Sequence, residues 1–273
     1  SDADRHPLKV GELICMDLNP EKAPISLAWA SGPNQVIKEL GIECVGLVGD
    51  NYHEPLFIDD VWQPYTGSVM SIDPSGRGSD ESTYAIINIL HGRLFLMEVG
   101  GFTDGYSDET LKGFALAAKR YNVNNIIVES NFGDGMFGKL LQPFLSKIHD
   151  CGIEEVRHNT QKERRIIDTL EPIMNQHRLV VNKQVLRDDY APDKDINTQL
   201  FYQMSRITRD RDSLRHDDRL DAVAMAVAYW VEHMSRDVDQ AVVDFREEQL
   251  DIELENFANH VLGTKPKGLN WLN

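Results

Sequence analysis

Three groups of acidic residues, far apart along the chain, have the side chains that bind hard divalent cations. Asp73 ends Ser71-Ile72-Asp73 and precedes Pro74-Ser75-Gly76; Glu129 ends the apolar run Ile126-Ile127-Val128. His216-Asp217-Asp218-Arg219-Leu220-Asp221 opens a stretch with helical apolar spacing. Taken singly, each has an ordinary explanation. Asp before Pro is common in turns, and Asp caps helix starts well. A carboxylate ending a buried strand, however, needs a partner or a metal. Two Asp residues followed by a third one turn later exceed what a cap requires. Carboxylates at two strand ends and a helix start can converge on one point, where they repel unless cations neutralise them. Oxygen-only ligands favour Mg²⁺ or Mn²⁺ over zinc, and two such ions suit in-line hydrolysis of a phosphodiester. No Ser-His-Asp or Cys-nucleophile arrangement competes as clearly.

Other polar residues are candidates for supporting parts. Asp80, seven residues after Asp73, could ligate or orient a second ion, and His216 and Asp221 could support the ligands beside them. The Gly-rich stretch from Asn131 to Gly138 follows the Glu129 strand and reads as a loop facing a phosphate backbone. Arg77, Asn131, Lys139, Lys162, Arg164, Arg165 and Arg215 are the candidates for gripping DNA. Arg206, Arg209 and Arg211 belong to the same basic stretch ahead of the third acidic group. A solvated charged face is the alternative for each of them.

The elements that must position these residues alternate between strand and helix. Ser68–Asp73, Thr83–Leu90 and Arg93–Gly100 read as strands, the last two joined in a hairpin across His91-Gly92. A helix follows at Ser107–Tyr121, with Leu111, Phe114 and Ala118 on one face. Then come a buried strand at Asn125–Glu129, a helix at Gly138–Asp150, a strand at Glu155–His158 and a helix at Lys162–Gln176 interrupted near Pro172. Leu179–Val181 is a short strand. This order fits an α/β fold of ribonuclease H topology, a mixed central sheet flanked by helices. Residues 1–66 read as a proline-broken lead-in with short strands at Gly11–Leu18 and Glu43–Val48. Residues 67–235 read as the catalytic domain, with a short helix at Leu200–Met204 and a strong one at Asp218–Met234. Residues 236–273 read as an acidic amphipathic tail whose apolar stripe includes Leu250, Leu254, Phe257 and Val261.

Composition narrows the class. With 273 residues the chain can bury a sizeable core. The formal net charge of −16 argues against tight DNA binding by the chain alone. Its distribution softens that argument, because 15 of the 28 Lys and Arg residues fall between Lys139 and Arg219. Cys15, Cys44 and Cys151 are widely spaced and read as reduced thiols. No apolar run is long enough to span a bilayer, and no signal peptide is expected at the polar N-terminus. No Gly-x4-Gly-Lys-Ser/Thr pattern occurs, so no P-loop ATPase is expected within the chain.

Four stretches resemble a known family: Val69–Gly78, Met97–Asp108, Glu129–Lys139 and His216–Ala222. They are similar to the large terminase subunit of short-tailed podoviruses related to the T-odd coliphages, and the resemblance runs from about Pro7 to Met234. That family couples an N-terminal packaging ATPase to a C-terminal ribonuclease H-like nuclease. The resemblance implies a nuclease domain separated from the ATPase domain of the same subunit, with a linker ahead of it. It implies Asp73 and Glu129 as catalytic metal ligands, the third coming from Asp217-Asp218, with Asp218 favoured. It implies cutting of concatemeric duplex DNA at the start and end of packaging, in the host cytoplasm during virion assembly. Partners would be the small terminase subunit and the portal ring of the procapsid, with no membrane. The rival readings are a non-catalytic docking module of the motor and a resolvase-type nuclease.

Overall fold

The computed structural model describes residues 2–74, 80–130 and 135–263. Two compact units divide the chain after Trp230. The first is built on a seven-stranded mixed sheet. Its strands are β1 (Ile14–Met16), β2 (Gly67–Asp73), β3 (Ser82–Leu90), β4 (Arg93–Phe102), β5 (Asn125–Glu129), β6 (Gly152–Val156) and β7 (Leu179–Asn182). Their order across the sheet is β1-β7-β4-β3-β2-β5-β6.

β2, β3 and β4 form an antiparallel meander. The β3–β4 hairpin closes through His91 and Gly92, both at positive φ, with Leu90 paired to Arg93. A two-residue hairpin turn of this hand needs such conformations, and glycine adopts them at no steric cost. β5 pairs parallel with β2, and β6 parallel with β5. Parallel pairing demands a crossover, and helices supply it: α1 (Asp108–Arg120) links β4 to β5, and α2 (Met136–Ile148) links β5 to β6. Ser107 caps α1 by accepting a hydrogen bond from the Thr110 amide at 3.2 Å. The α1 face Leu111, Phe114, Ala115 and Ala118 is buried with Ile72, Ile86, Ile126 and Val128 of the sheet.

β6 leads into α3 (Lys162–Asn175), then β7, α4 (Lys183–Asp189), α5 (Leu200–Arg206) and the long helix α6 (Asp218–Val261). Pro172 lies within α3 without ending it, so the expected interruption does not occur. The expected strand at Glu43–Val48 is absent; the segment is bends and turn, with Asp50 accepting from the Leu47 amide at 2.8 Å. The lead-in is not a separate piece. Ile14–Met16 pairs parallel with β7 and extends the central sheet, and Leu8, Val10 and Leu13 are fully buried. Two small ribbons, Lys22–Pro24 with Trp62–Pro64 and Leu27–Ala28 with Phe57–Ile58, complete this region.

The start of α6 is the most buried helical segment, with Leu220 to Val227 all inaccessible. The second unit, residues 231–273, is helical through Val261. Its Val238, Phe245, Leu250, Leu254 and Phe257 are exposed. Among the described residues no helix is long and apolar enough to cross a membrane.

Candidate metal centre

Parallel pairing of β2 and β5 aligns Ile72 with Val128. The residues that end these strands, Asp73 and Glu129, therefore stand side by side at one end of the sheet. α6 brings the third acid. Its first turn is held over the sheet by Thr83 Oγ1, which donates to the Asp218 carbonyl at 3.0 Å, and by Ser71 Oγ, which donates to the Ala222 carbonyl. The Leu220 amide donates to Gln203 Oε1 at 3.0 Å. Arg219 braces the turn from the side, at 3.0 Å from Glu81 and 3.1 Å from the buried Asp189. In this pose Asp221 is fully buried and faces the strand ends. One carboxylate oxygen each from Asp73, Glu129 and Asp221 lies within 4.8 Å of the others.

The third member is thus Asp221, which the sequence suggested only as a supporting residue; Asp218 lies outside this group. One helical turn separates them, and Asp221 is the one whose carboxylate joins the two strand-end acids. Asp218 instead lines a neighbouring cavity of about 200 Å³ with Asp80, Glu81, His216 and Arg219. The signal that could have singled out Asp221 is its setting. It alone interrupts the buried run from Leu220 to Val227, whereas Asp217 and Asp218 sit in a polar stretch.

Two candidate DNA-gripping cations turn inward. Lys162 Nζ lies 2.8 Å from Asp217 Oδ1 and 3.4 Å from Asp221 Oδ2. Arg165 donates to Asp221 Oδ1 at 2.8 Å, with its side chain 14% exposed. Both stand on the first turn of α3, directly after β6 has returned the chain to this end of the sheet. The other candidates lie elsewhere. Lys139 and Arg164 are exposed on α2 and α3. Arg215 is exposed and 3.8 Å from Asp195. Arg77 and Asn131, with Phe132 to Asp134 of the Gly-rich stretch, fall outside the described residues.

The electrostatics show a shortage of positive charge. Burial, then Asp221 and Glu129, push Asp73 up to about 9. Burial and Asp221 also raise Glu129, against a hydrogen bond with Asp73 that favours its ionised form. Asp218 is pushed up to about 6 by burial, although Lys162 pulls it down. Burial works against the Lys162 charge, yet Asp221 and Asp217 outweigh it and hold the ammonium charged. Five carboxylates, Asp73, Glu129, Asp217, Asp218 and Asp221, stand near two cations, Lys162 and Arg165, and three of them, Asp73, Glu129 and Asp218, are raised. Two buried oxygens, Glu129 Oε2 and Asp221 Oδ2, have no hydrogen-bond partner. At 3.4 Å Lys162 attracts the latter without hydrogen-bonding it. An oxygen-only donor set, raised carboxyl groups and orphaned buried acceptors fit a hard divalent cation.

Sequence reasoning also missed Glu81, Asp189 and His158. His158 lies just beyond β6 with its Nε2 buried and unpartnered. Burial and the nearby Arg165 lower its pKa.

The chain is similar to known proteins. Residues 72–179 match the family described as Terminase Bacteriophage T7, Ribonuclease H-like domain. The large terminase subunit of Enterobacteria phage T3 is 39% identical over 278 residues, covering 98% of this chain and 47% of the T3 protein. The chain therefore spans about half the length of that relative. Among solved structures, the Mn-soaked, inhibitor-bound nuclease domain of human cytomegalovirus terminase aligns with a TM-score of 0.45 and 11% identity, over 60% of this chain and 82% of that one. The large terminase nuclease from thermophilic phage G20c aligns with a TM-score of 0.43 and 10% identity, over 84% and 96%. By the mixed sheet and by the sequence match, residues 72–179 belong to the ribonuclease H-like domain family of phage terminases, and the chain as a whole is similar to a large terminase subunit.

Proposed function

We propose that this domain is a metal-dependent endodeoxyribonuclease that cuts concatemeric duplex DNA when genome packaging starts and ends. The observation that carries the reading is the convergence of Asp73, Glu129 and Asp221 with more negative charge than Lys162 and Arg165 neutralise. Asp73, Glu129 and Asp221 would hold one Mg²⁺ or Mn²⁺. Asp217 and Asp218, on the adjoining turn, would supply carboxylates for a second. The chemistry such ions would supply is an activated water and stabilisation of the leaving 3′ oxygen. The protein's own residues do the positioning. The strand ends fix Asp73 and Glu129, Arg165 holds one oxygen of Asp221, and the Arg219 brace sets the turn that carries it. Lys162 neutralises Asp217 and Asp221 until an ion takes its place.

A non-catalytic docking module would need its acids neutralised by the protein itself. Lys162 and Arg165 do this for Asp221 but leave Glu129 Oε2 unpartnered. In the packaging role the domain would act in the host cytoplasm with the ATPase domain of its own subunit, the small terminase subunit and the portal ring. The similarity to the T3 large terminase subunit supports that assignment. The test is nicking of supercoiled plasmid with Mg²⁺ or Mn²⁺ against EDTA. Cutting with either ion, none in chelator, and none by Asp73→Asn or Glu129→Asn is expected. Cutting that persists in EDTA would refute the two-metal reading.

A further inference from the structure

One cavity of the first unit carries charge opposite to that of the chain. It measures about 440 Å³ and lies between the N-terminal Arg5-His6 and residues 206–215. Arg5, Arg206, Arg211 and Arg215 line it with His6, and Asp210 is the acid in its wall. The whole chain has 44 acids to 28 Lys and Arg, so four guanidinium groups around one opening run against its composition.

We propose that this cavity seats the sugar–phosphate backbone of duplex DNA beside the acidic centre. The proposal rests on the nuclease reading and adds the surface that holds the substrate. Arg206 is built in: it donates to Ser205 Oγ at 2.7 Å and to the Val45 and Gly46 carbonyls at 3.3 Å, and lies 4.8 Å over the Tyr202 ring. These partners are neutral, so they orient the guanidinium and leave its charge uncompensated. Arg5 reaches Asp210, and Arg215 reaches Asp195, only at 3.8 Å and in solvent. Pairs of that kind are weak and give way to a phosphate. Arg211 is exposed and pairs with no acid among the described residues. Planar, permanently charged guanidinium groups match phosphate oxygens, and an array of them suits a polyanion better than a single ion.

The cavity is also joined to the metal centre. Arg215 and Asn197 line it, while the next residues, His216 and Thr198, line the neighbouring cavity with Asp218 and Asp80. The loop carrying Arg211 and Arg215 is tied to the helix that presents Lys162 and Arg165. The Asp212 amide donates to Glu163 Oε1, and Gln161 Nε2 to the Arg209 carbonyl, both at 3.0 Å. A backbone lying on the arginines is thereby led toward the carboxylates.

Fluorescence anisotropy with a labelled duplex, in EDTA and across a salt series, tests this on the full chain. The triple variant Arg5→Ala, Arg211→Ala, Arg215→Ala should bind duplexes of unrelated sequence ~10- to 100-fold more weakly, with a salt slope lower by about 2–3. Arg209→Ala, whose guanidinium lies 3.4 Å from Glu171 outside this cavity, should bind as the parent does. Wild-type affinity and slope in the triple variant would overturn the proposal. So would displacement of the duplex by inorganic phosphate beyond chloride of matched ionic strength, which would make the cavity a small-anion site. Parent protein that cuts plasmid with Mn²⁺ while the triple variant binds normally refutes the DNA seat alone. Parent protein that never cuts refutes the nuclease reading.

Discussion

Replacing Lys162 with Ala separates a cation that holds the metal's place from one that is only structural. Its ammonium lies 2.8 Å from Asp217 and 3.4 Å from Asp221. Removing one partner of a fully buried ion pair costs about 3–5 kcal/mol. The Lys162 side chain is 35% exposed. Solvent screening therefore reduces the loss to about 1–2 kcal/mol in metal-free protein. For a domain of this size that lowers Tm by about 2–8 °C. Manganese should narrow or close that gap. At one hundred times its Kd an ion stabilises the wild type by about 2.7 kcal/mol. Without an ammonium to displace, the ion should bind ~10-fold tighter, which adds about 1.4 kcal/mol. The Mn²⁺-induced rise in Tm should then be larger in Lys162→Ala by about 3–6 °C. Differential scanning calorimetry at matched Mn²⁺ reads this directly. Equal rises in the two proteins would refute the idea that Lys162 and the metal compete for the same carboxylates.

The pH dependence of stability should follow Asp73. Folded protein keeps this proton up to about 9, whereas the unfolded chain loses it near 3.8. Between those values the native state binds more protons, so metal-free stability falls as pH rises. Urea titrations should show that slope in the wild type and a shallower one in Asp73→Asn; equal slopes would remove Asp73 as its source. Arg219→Ala strands Asp189, which is 3% exposed, and frees the turn that carries Asp221. It should cost about 3–5 kcal/mol and abolish cutting; a variant that cuts normally would show that the brace does not position the site.

Much of this fold is legible in the sequence where local chemistry decides. The Asn125–Glu129 strand is a short apolar run with a carboxylate at its end, and the structure gives the same bounds. The hairpin at His91-Gly92 follows from turn chemistry. What could not be read depends on pairing across long sequence distances. Ile14–Met16 is a strand because Leu179–Asn182 lies beside it, more than 160 residues away. Glu43–Val48 has the apolar content of a strand but no edge to pair with. The site shows the same division. Asp73 and Glu129 are visible as strand-end acids. The choice of Asp221 over Asp218 rests on which face of the helix meets the sheet. Lys162 and Arg165 read as DNA contacts because nothing local shows that α3 begins beside Asp221.

The central claim is that Asp73, Glu129 and Asp221 form the metal site. Isothermal titration of Mn²⁺ into Asp221→Asn and Asp218→Asn, with plasmid cutting measured on the same samples, tests it most directly. Asp221→Asn should lose the tightest Mn²⁺ binding and all cutting, while Asp218→Asn keeps the tightest binding. Wild-type Mn²⁺ affinity and cutting in Asp221→Asn, with both lost in Asp218→Asn, would contradict the account.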